Sequence, residues 1–140
     1  FFCTFAARLI NILNLFISLK LYSKTHEWVE FSDDANARVG ISDFAQMELG
    51  DLVFVNLPAV GDAVTAGKAF ADVESVKAVS DVNSPVTGTI TAINNELLDT
   101  PELINQDPYS SWFVEVGDIT GRSELLSEAD YKTFCEEGAH

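Results

Sequence analysis

Short runs of β-branched and aromatic residues, separated by turn residues, constrain the fold of this chain more than any other feature. Such runs favour strands, and their close spacing is typical of an antiparallel sandwich or partial barrel. The predicted strands are 28–31 (WVEF), 38–41 (RVGI), 52–57 (LVFVNL), 68–73 (KAFADV), 87–93 (TGTITAI) and 112–116 (WFVEV). The sequence therefore predicts a mainly β domain with helices appended.

Two helices are predicted beside the strands. Ser42 and Asp43 precede FAQMEL (44–49) as candidate N-caps and Gly50 follows it as a C-cap, which indicates a short internal helix. Near the C-terminus, Ser123 is a candidate N-cap for a longer helix that would end at Gly138. Its apolar side would be formed by Leu125, Leu126, Ala129, Tyr131 and Phe134.

The charge of the chain excludes several classes of partner. The formal net charge is −14, and all 22 acidic residues follow residue 26. A domain this acidic is repelled by nucleic acid and by anionic membrane surfaces. The acidity is equally consistent with simple solubility and with attraction to basic patches on protein partners.

Residues 1–20 differ in composition from everything that follows. They are apolar, contain Arg8 and Lys20 and no acid, and their apolar core runs only from residue 9 to residue 19. A membrane span needs about 20 predominantly apolar residues, so this segment resembles a targeting sequence more than a span. We interpret residues 1–20 as a leader or targeting remnant and residues 21–140 as the domain. The alternative is an extension without a role.

No motif in the chain indicates catalysis or metal binding. Cys3 and Cys135 lie at opposite ends without a CxxC pair, and His26 and His140 belong to no cluster. The phosphate-binding motifs GxGxxG and GxxxxGK[ST] are absent, and Ser75 has no histidine near it in the sequence. The sequence therefore predicts a protein that is not an enzyme.

Lys77 stands out because lysine is rare in the acidic part of the chain. Between residues 27 and 131 the only lysines are Lys68 and Lys77. Lys77 lies between two predicted strands, and its neighbours Val76 and Ala78 are uncharged, so an enzyme could reach its amine without a competing charge. Pattern alone leaves two interpretations: an ordinary solvated charge, or a site of covalent attachment.

Several ordered motifs around Lys77 resemble a known family. GDAVTAGK (61–68), ESVKA (74–78) and SPVTG (84–88) are similar to the lipoyl-lysine motif of biotinyl/lipoyl carrier domains. Within that group, ESVKA and SDVNSPV resemble the H proteins of the glycine cleavage system. Four further segments support the match: THEWV (25–29), GISD with AQ and LG (40–50), LIN with PY (103–109) and YKTFCEE (131–137).

The resemblance implies a barrel-sandwich hybrid fold and a carrier function. Lipoate would be held in amide linkage on Lys77 by a lipoate-attaching enzyme. A pyridoxal-phosphate glycine decarboxylase would load an aminomethyl group, and a folate-dependent aminomethyltransferase would remove it. Dihydrolipoamide dehydrogenase would then reoxidise the dithiol. The implied compartment is the mitochondrial matrix in a eukaryotic source, and otherwise the cytoplasm.

The resemblance also assigns roles to residues near Lys77. Glu27 and Asp81, with Thr25 as a weaker hydroxyl partner, match positions that would contact the arm or its cationic intermediate. For each of them, a solvated surface residue or a turn cap is an equal alternative. Recognition by the lipoate-attaching enzyme would fall to Glu74, Val76 and Ala78.

Other swinging-arm carriers fit the sequence less well. Biotin carriers usually have Met on both sides of the lysine, and lipoyl domains of oxo-acid dehydrogenases usually have Asp directly before it. The chain has Val76 and Ala78 at these positions. A closer alternative is an H-like protein that relays lipoate to other complexes without taking part in glycine cleavage.

Overall fold

A computed structural model describes residues 19–33 and 35–137. The strands in this part of the chain are β1 (Leu19–Ser23), β2 (Glu27–Phe31), β3 (Ala37–Ile41), β4 (Leu52–Asn56), β5 (Ala63–Val64), β6 (Ala69–Ser75), β7 (Val79–Asn83), β8 (Val86–Ile93), β9 (Val114–Arg122) and β10 (Leu125–Leu126). The helices are α1 (Asp43–Leu49), α2 (Glu96–Asp99), α3 (Leu103–Gln106) and α4 (Glu128–Glu137). Each predicted strand segment overlaps an observed strand, and the mainly β class is confirmed.

The strands form two antiparallel sheets whose inner faces share one core. The larger sheet has the order β10-β1-β2-β3-β9-β8-β5, and the smaller has the order β4-β6-β7. Val55, Val73 and Val82 of the smaller sheet belong to the same buried cluster as Val29 and Val116 of the larger one. Fully burying a side chain of this size contributes roughly 1.5–3 kcal/mol, so the shared core is what holds the two sheets together. The sheets do not close into a barrel, which agrees with the predicted barrel-sandwich fold.

The internal helix forms where its caps predict. The side chain of Ser42 accepts a hydrogen bond from the backbone N–H of Ala45 at 3.2 Å. At the other end Gly50 adopts φ +80°, and its N–H donates to the carbonyl of Gln46. This backbone conformation is sterically strained for residues with a side chain but not for glycine, so Gly50 ends the helix.

The predicted start of the C-terminal helix is wrong. Leu125 and Leu126 form β10, which pairs with Ser23 and Tyr22 of β1, and α4 begins only at residue 128. Ser127, rather than Ser123, caps the helix, because its hydroxyl accepts from the N–H of Asp130. Pairing with β1 supplies Leu125 and Leu126 with strand hydrogen bonds that helix propensity cannot reveal. The predicted end at Gly138 lies outside the described residues.

A second, smaller cluster joins α4 to the large sheet. Its buried members are Tyr22, Trp28 and Tyr131. The indole N–H of Trp28 donates to the carbonyl of Pro108 at 3.1 Å. A side chain on Gly40 would lie 2.6 Å from the indole ring, so the close approach of β3 to this tryptophan requires glycine there.

Most of the segment interpreted from the sequence as a leader lies outside the described residues. β1 begins at Leu19, inside the segment assigned to the leader, and residues 1–18 lie outside the described residues. Within the described ranges, no helix is both long and apolar enough to cross a membrane.

Candidate functional site

Lys77 lies at the tip of the hairpin formed by β6 and β7. The hydroxyl of Ser75 accepts hydrogen bonds from the backbone N–H groups of Lys77 and Ala78, at 3.3 and 3.0 Å. The N–H of Ser75 donates to the carbonyl of Ala78 at 2.7 Å. Val76, Lys77 and Ala78 are all exposed. A single serine therefore fixes the turn and leaves the lysine amine open to solvent.

The hairpin tip is also braced against the end of α1. The N–H of Val76 donates to the carbonyl of Asp51 at 3.1 Å. The stem of Lys77 crosses Gly50, with its Cε 3.5 Å from the position that a Cβ on Gly50 would occupy. The side-chain amide of Asn105 donates to the carbonyl of Gly50 at 2.9 Å, which ties this junction to α3. These contacts hold the hairpin tip in place, so a group attached to Lys77 would be anchored at a fixed position.

A buried carboxyl group lies at the start of β2. Glu27 is only 3% exposed. Its Oε1 accepts from the hydroxyl of Ser23 at 2.7 Å and from the hydroxyl of Thr25 in a short hydrogen bond. Its Oε2 accepts from the backbone N–H of Asn83, at the end of β7, at 3.3 Å. The structure thus places the predicted residues Glu27 and Thr25 in one site and connects it to β7.

Burial changes the acidity of this group. Loss of hydration raises the pKa of Glu27 from 4.5 to about 7, and the bonds from Thr25, Ser23 and Asn83 only partly oppose the shift. No ion pair in the described ranges involves Glu27. The site therefore holds a carboxyl group that is partly ionised near neutral pH and has no cation of its own.

The raised pKa of Glu27 predicts a specific dependence of stability on pH. Between about pH 4.5 and 7 the folded protein keeps a proton on Glu27 that the unfolded chain has lost, so this contribution to stability falls as pH rises and is gone above 7. Glu27→Gln imitates the protonated form and removes the dependence. We expect the variant to gain on the order of 3 kcal/mol relative to the wild type between about pH 5 and about pH 8.

Urea unfolding of both proteins at the two pH values measures this difference. The wild type carries many other acids, so only the change in the difference between the two proteins is informative. A difference that stays constant with pH would contradict a neutral buried Glu27.

The predicted residue Asp81 occupies a different position. Asp81 is exposed on β7 and lies opposite Asp72 of β6. No hydrogen bond in the described ranges joins it to Glu27 or Thr25. Glu74, also on β6, is half-buried opposite Phe54 and Val79. Thr25 and Glu27 therefore come together, whereas Asp81 and Glu74 lie on the hairpin that carries Lys77.

A network that the sequence did not reveal supports the Glu27 site. The hydroxyl of Tyr131 shares hydrogen bonds with Nδ1 of His26 at 2.7 Å and with the hydroxyl of Ser42 at 2.6 Å. His26 adopts φ +75°, an uncommon conformation for a residue other than glycine. It lies between Thr25 and Glu27, so Tyr131 fixes the backbone that presents both side chains. In the sequence, His26 belongs to no cluster and Tyr131 lies more than a hundred residues away from it.

Removing the hydroxyl of Tyr131 should destabilise the fold. Tyr131→Phe leaves the buried hydroxyl of Ser42 and the ring of His26 without this partner, so we expect a loss of about 1–3 kcal/mol in the free energy of unfolding. Tyr109→Phe is the matched control, because Tyr109 is exposed and its hydroxyl accepts from the exposed backbone N–H of Asp43. Equal losses in urea unfolding of the two variants would contradict a special role for Tyr131.

The comparisons with known proteins identify the family. A model of the family described as glycine cleavage H-protein matches residues 20–138. The chain belongs to the glycine cleavage H-protein family. The predicted resemblance is confirmed.

No group of three or more metal-ligating side chains occurs in the described ranges.

Individual members of the family are similar over most of their length. The glycine cleavage system H protein of Lachnoclostridium phytofermentans is 56% identical over 117 residues, which cover 84% of this chain and 92% of that protein. The H protein of Methylococcus capsulatus is 52% identical over 126 residues, covering 89% and 98%. The crystal structure of the H protein of Mycobacterium marinum has 39% identity and a TM-score of 0.77, covering 85% of this chain and 96% of that one. These relatives are bacterial and do not support the predicted mitochondrial assignment.

Proposed function

We propose that this chain is the lipoyl-lysine carrier of a glycine cleavage system and that Lys77 is the attachment residue. The exposed amine at the tip of a braced hairpin carries the proposal. It would shuttle the aminomethyl group of glycine from the decarboxylase to the aminomethyltransferase. As an H protein it is a carrier subunit and catalyses no step itself.

The residues around Lys77 fit a covalently attached arm. Ser75 holds the turn through backbone groups alone, so acylation of the lysine amine breaks none of its bonds. Acylation removes one positive charge from an exposed position, where the cost is small. Bound there as an amide, lipoate would supply a redox-active disulfide on a long flexible arm. Anchoring that arm raises its effective concentration at whichever enzyme has bound the domain.

Glu27 is the group in the chain best suited to a cationic cargo. Its carboxyl group already accepts hydrogen bonds from Ser23, Thr25 and Asn83, which fix its orientation. Because the group is buried, it is also shielded from water. An approaching ammonium group would favour its ionised form and lower its pKa. We propose that Glu27, positioned by Thr25, accepts a hydrogen bond from the amine of the cargo.

The remaining predicted residues keep their proposed roles on the hairpin. Asp81 would contact the arm from the exposed edge of β7. The lipoate-attaching enzyme would recognise Glu74, Val76 and Ala78, because these residues lie close to Lys77 in the sequence. Val76 and Ala78 are exposed, and Glu74 is half-buried. For a eukaryotic source we keep the mitochondrial matrix as the proposed compartment, with residues 1–20 as its targeting segment, and otherwise the cytoplasm. N-terminal sequencing of protein purified from the source checks this assignment.

Reconstitution tests the function against the alternative of lipoate relay. The lipoylated protein is mixed with glycine decarboxylase, aminomethyltransferase, dihydrolipoamide dehydrogenase, tetrahydrofolate and NAD, and glycine-dependent formation of NADH is recorded. A carrier of glycine cleavage gives a rate that depends on its own concentration. A protein that only relays lipoate gives no NADH although its lysine is modified.

A further inference from the structure

The segment 50–52, which joins α1 to β4, supports the tip of the hairpin that carries the attachment lysine. The N–H of Val76 donates to the carbonyl of Asp51 at 3.1 Å. In the register of β4 with β6, Leu52 lies opposite Ser75, the residue that holds the turn. The position of this short segment therefore determines where the hairpin tip lies.

The side chain of Asn105 in α3 binds the same segment through groups that the hairpin does not use. Its Oδ1 accepts from the backbone N–H of Leu52 at 2.9 Å, and its Nδ2 donates to the carbonyl of Gly50 at 2.9 Å. These are the two groups that one residue of a neighbouring parallel strand would bind. Asn105 thus takes the place of a further strand beside the start of β4.

Further contacts hold Asn105 itself in place. Its Nδ2 also donates to Oε1 of Gln46 in α1 at 2.9 Å, so the amide donates two hydrogen bonds and accepts one. The preceding residue, Ile104, is completely buried in the main core and anchors α3. One short side chain therefore connects α1, α3 and the start of β4.

We propose that Asn105 is a positioning residue for the attachment of lipoate to Lys77. It fixes the segment 50–52, and that segment sets where the hairpin presents the lysine amine to the lipoate-attaching enzyme. A tip that is already ordered loses little conformational freedom when the enzyme binds it, which favours binding. The proposal rests on the carrier function proposed above. It adds a residue, distant from Lys77 in the sequence, that prepares this lysine for modification.

Kinetics of lipoylation test this role, with the unmodified protein as the varied substrate and intact mass as the readout. Asn105→Ala removes all three hydrogen bonds of the side chain. We expect KM for the protein to rise about tenfold with little change in kcat, because the amine and the acyl donor are unchanged. Gln46→Ala leaves the bonds from Asn105 to the segment 50–52 in place, so it should raise KM less.

Amide hydrogen exchange distinguishes positioning from general stability. The N–H of Val76 reports on the hairpin tip, and the N–H of Phe113, which donates to the carbonyl of Val39 at 2.7 Å, reports on the large sheet. Asn105→Ala should accelerate exchange at Val76 about tenfold and leave exchange at Phe113 unchanged. Acceleration by the same factor at both groups would overturn the positioning role, because Asn105 would then only stabilise the whole fold.

The matched control is Asn36→Ala. The side-chain amide of Asn36 also binds within the chain, donating to both carboxylate oxygens of Asp33 at 3.0 Å. It does so in the turn between β2 and β3 of the large sheet, and not at the hairpin. We expect KM for lipoylation and exchange at Val76 to equal those of the wild type.

The outcomes separate this proposal from the carrier function. A folded Asn105→Ala with the KM of the wild type would overturn the positioning role and leave the carrier function standing. An equal rise in KM for Asn36→Ala would also overturn it. If Asn105→Ala does not fold, Gln46→Ala decides, and unchanged KM with unchanged exchange at Val76 would count against the role. A wild type that is not modified at Lys77 would overturn both proposals.

Discussion

Replacing Lys77 by arginine should abolish attachment of lipoate and, with it, all carrier activity. Amide formation requires a primary amine that can lose its proton, and the guanidinium group stays protonated throughout the accessible pH range. Arginine keeps the charge and much of the length of lysine. The turn should therefore be unaffected, because Ser75 holds it through backbone groups. Intact mass after exposure to the lipoate-attaching enzyme, followed by glycine-dependent NADH formation, measures the effect.

The matched control is Lys68→Arg. Lys68 is also exposed and also precedes a strand of the small sheet, but it lies in the loop between β5 and β6, away from the hairpin tip. We expect this variant to be lipoylated and active like the wild type. Carrier activity that survives in Lys77→Arg and disappears in Lys68→Arg would assign attachment to the other lysine.

Trp28→Ala should give the largest loss of stability among single substitutions in the second core cluster. Trp28 is 1% exposed, packs with Tyr22 and Tyr131, and donates to the carbonyl of Pro108. Truncating a buried tryptophan costs about 3–5 kcal/mol, since the lost burial and the remaining cavity add together. The residue follows Glu27 directly in β2, so the loss should also loosen the Glu27 site. Urea unfolding followed by circular dichroism measures the change without depending on tryptophan fluorescence.

The second tryptophan of the chain is the control. Trp112 is half-buried, contacts the same cluster from its edge and lies against the guanidinium of Arg38. Trp112→Ala removes an indole ring as well, but from a partly solvated position, so we expect a clearly smaller loss of stability. Equal losses for the two variants would show that burial of Trp28 does not determine the stability of this cluster.

Features encoded by neighbouring residues were predictable from the sequence. Ser42 and Gly50 define α1 because caps act within a few residues, and the helix lies between them as expected. The exposed position of Lys77 followed from the strands on either side of it. The role of Ser75 was equally local, because serine often bonds to nearby backbone in turns, and it could have been recognised.

Features that depend on distant strands were not predictable. Leu125 and Leu126 have the spacing of a helix but pair with β1, about a hundred residues earlier in the chain. The burial of Glu27 and its raised pKa depend on the meeting of β2 with the end of β7 at Asn83. The contact of Tyr131 with His26 likewise spans nearly the whole domain. A single sequence contains no local signal for any of these contacts.

Peptide mapping of the protein after reaction with its lipoate-attaching enzyme tests the central proposal most directly. We predict that the mass increment of one lipoyl group appears on the peptide containing Lys77 and on no other, with fragment ions that assign it to the lysine side chain. A lipoyl increment on Lys68 or Lys132, or an unmodified Lys77 when a known H protein is fully modified in the same mixture, would contradict it.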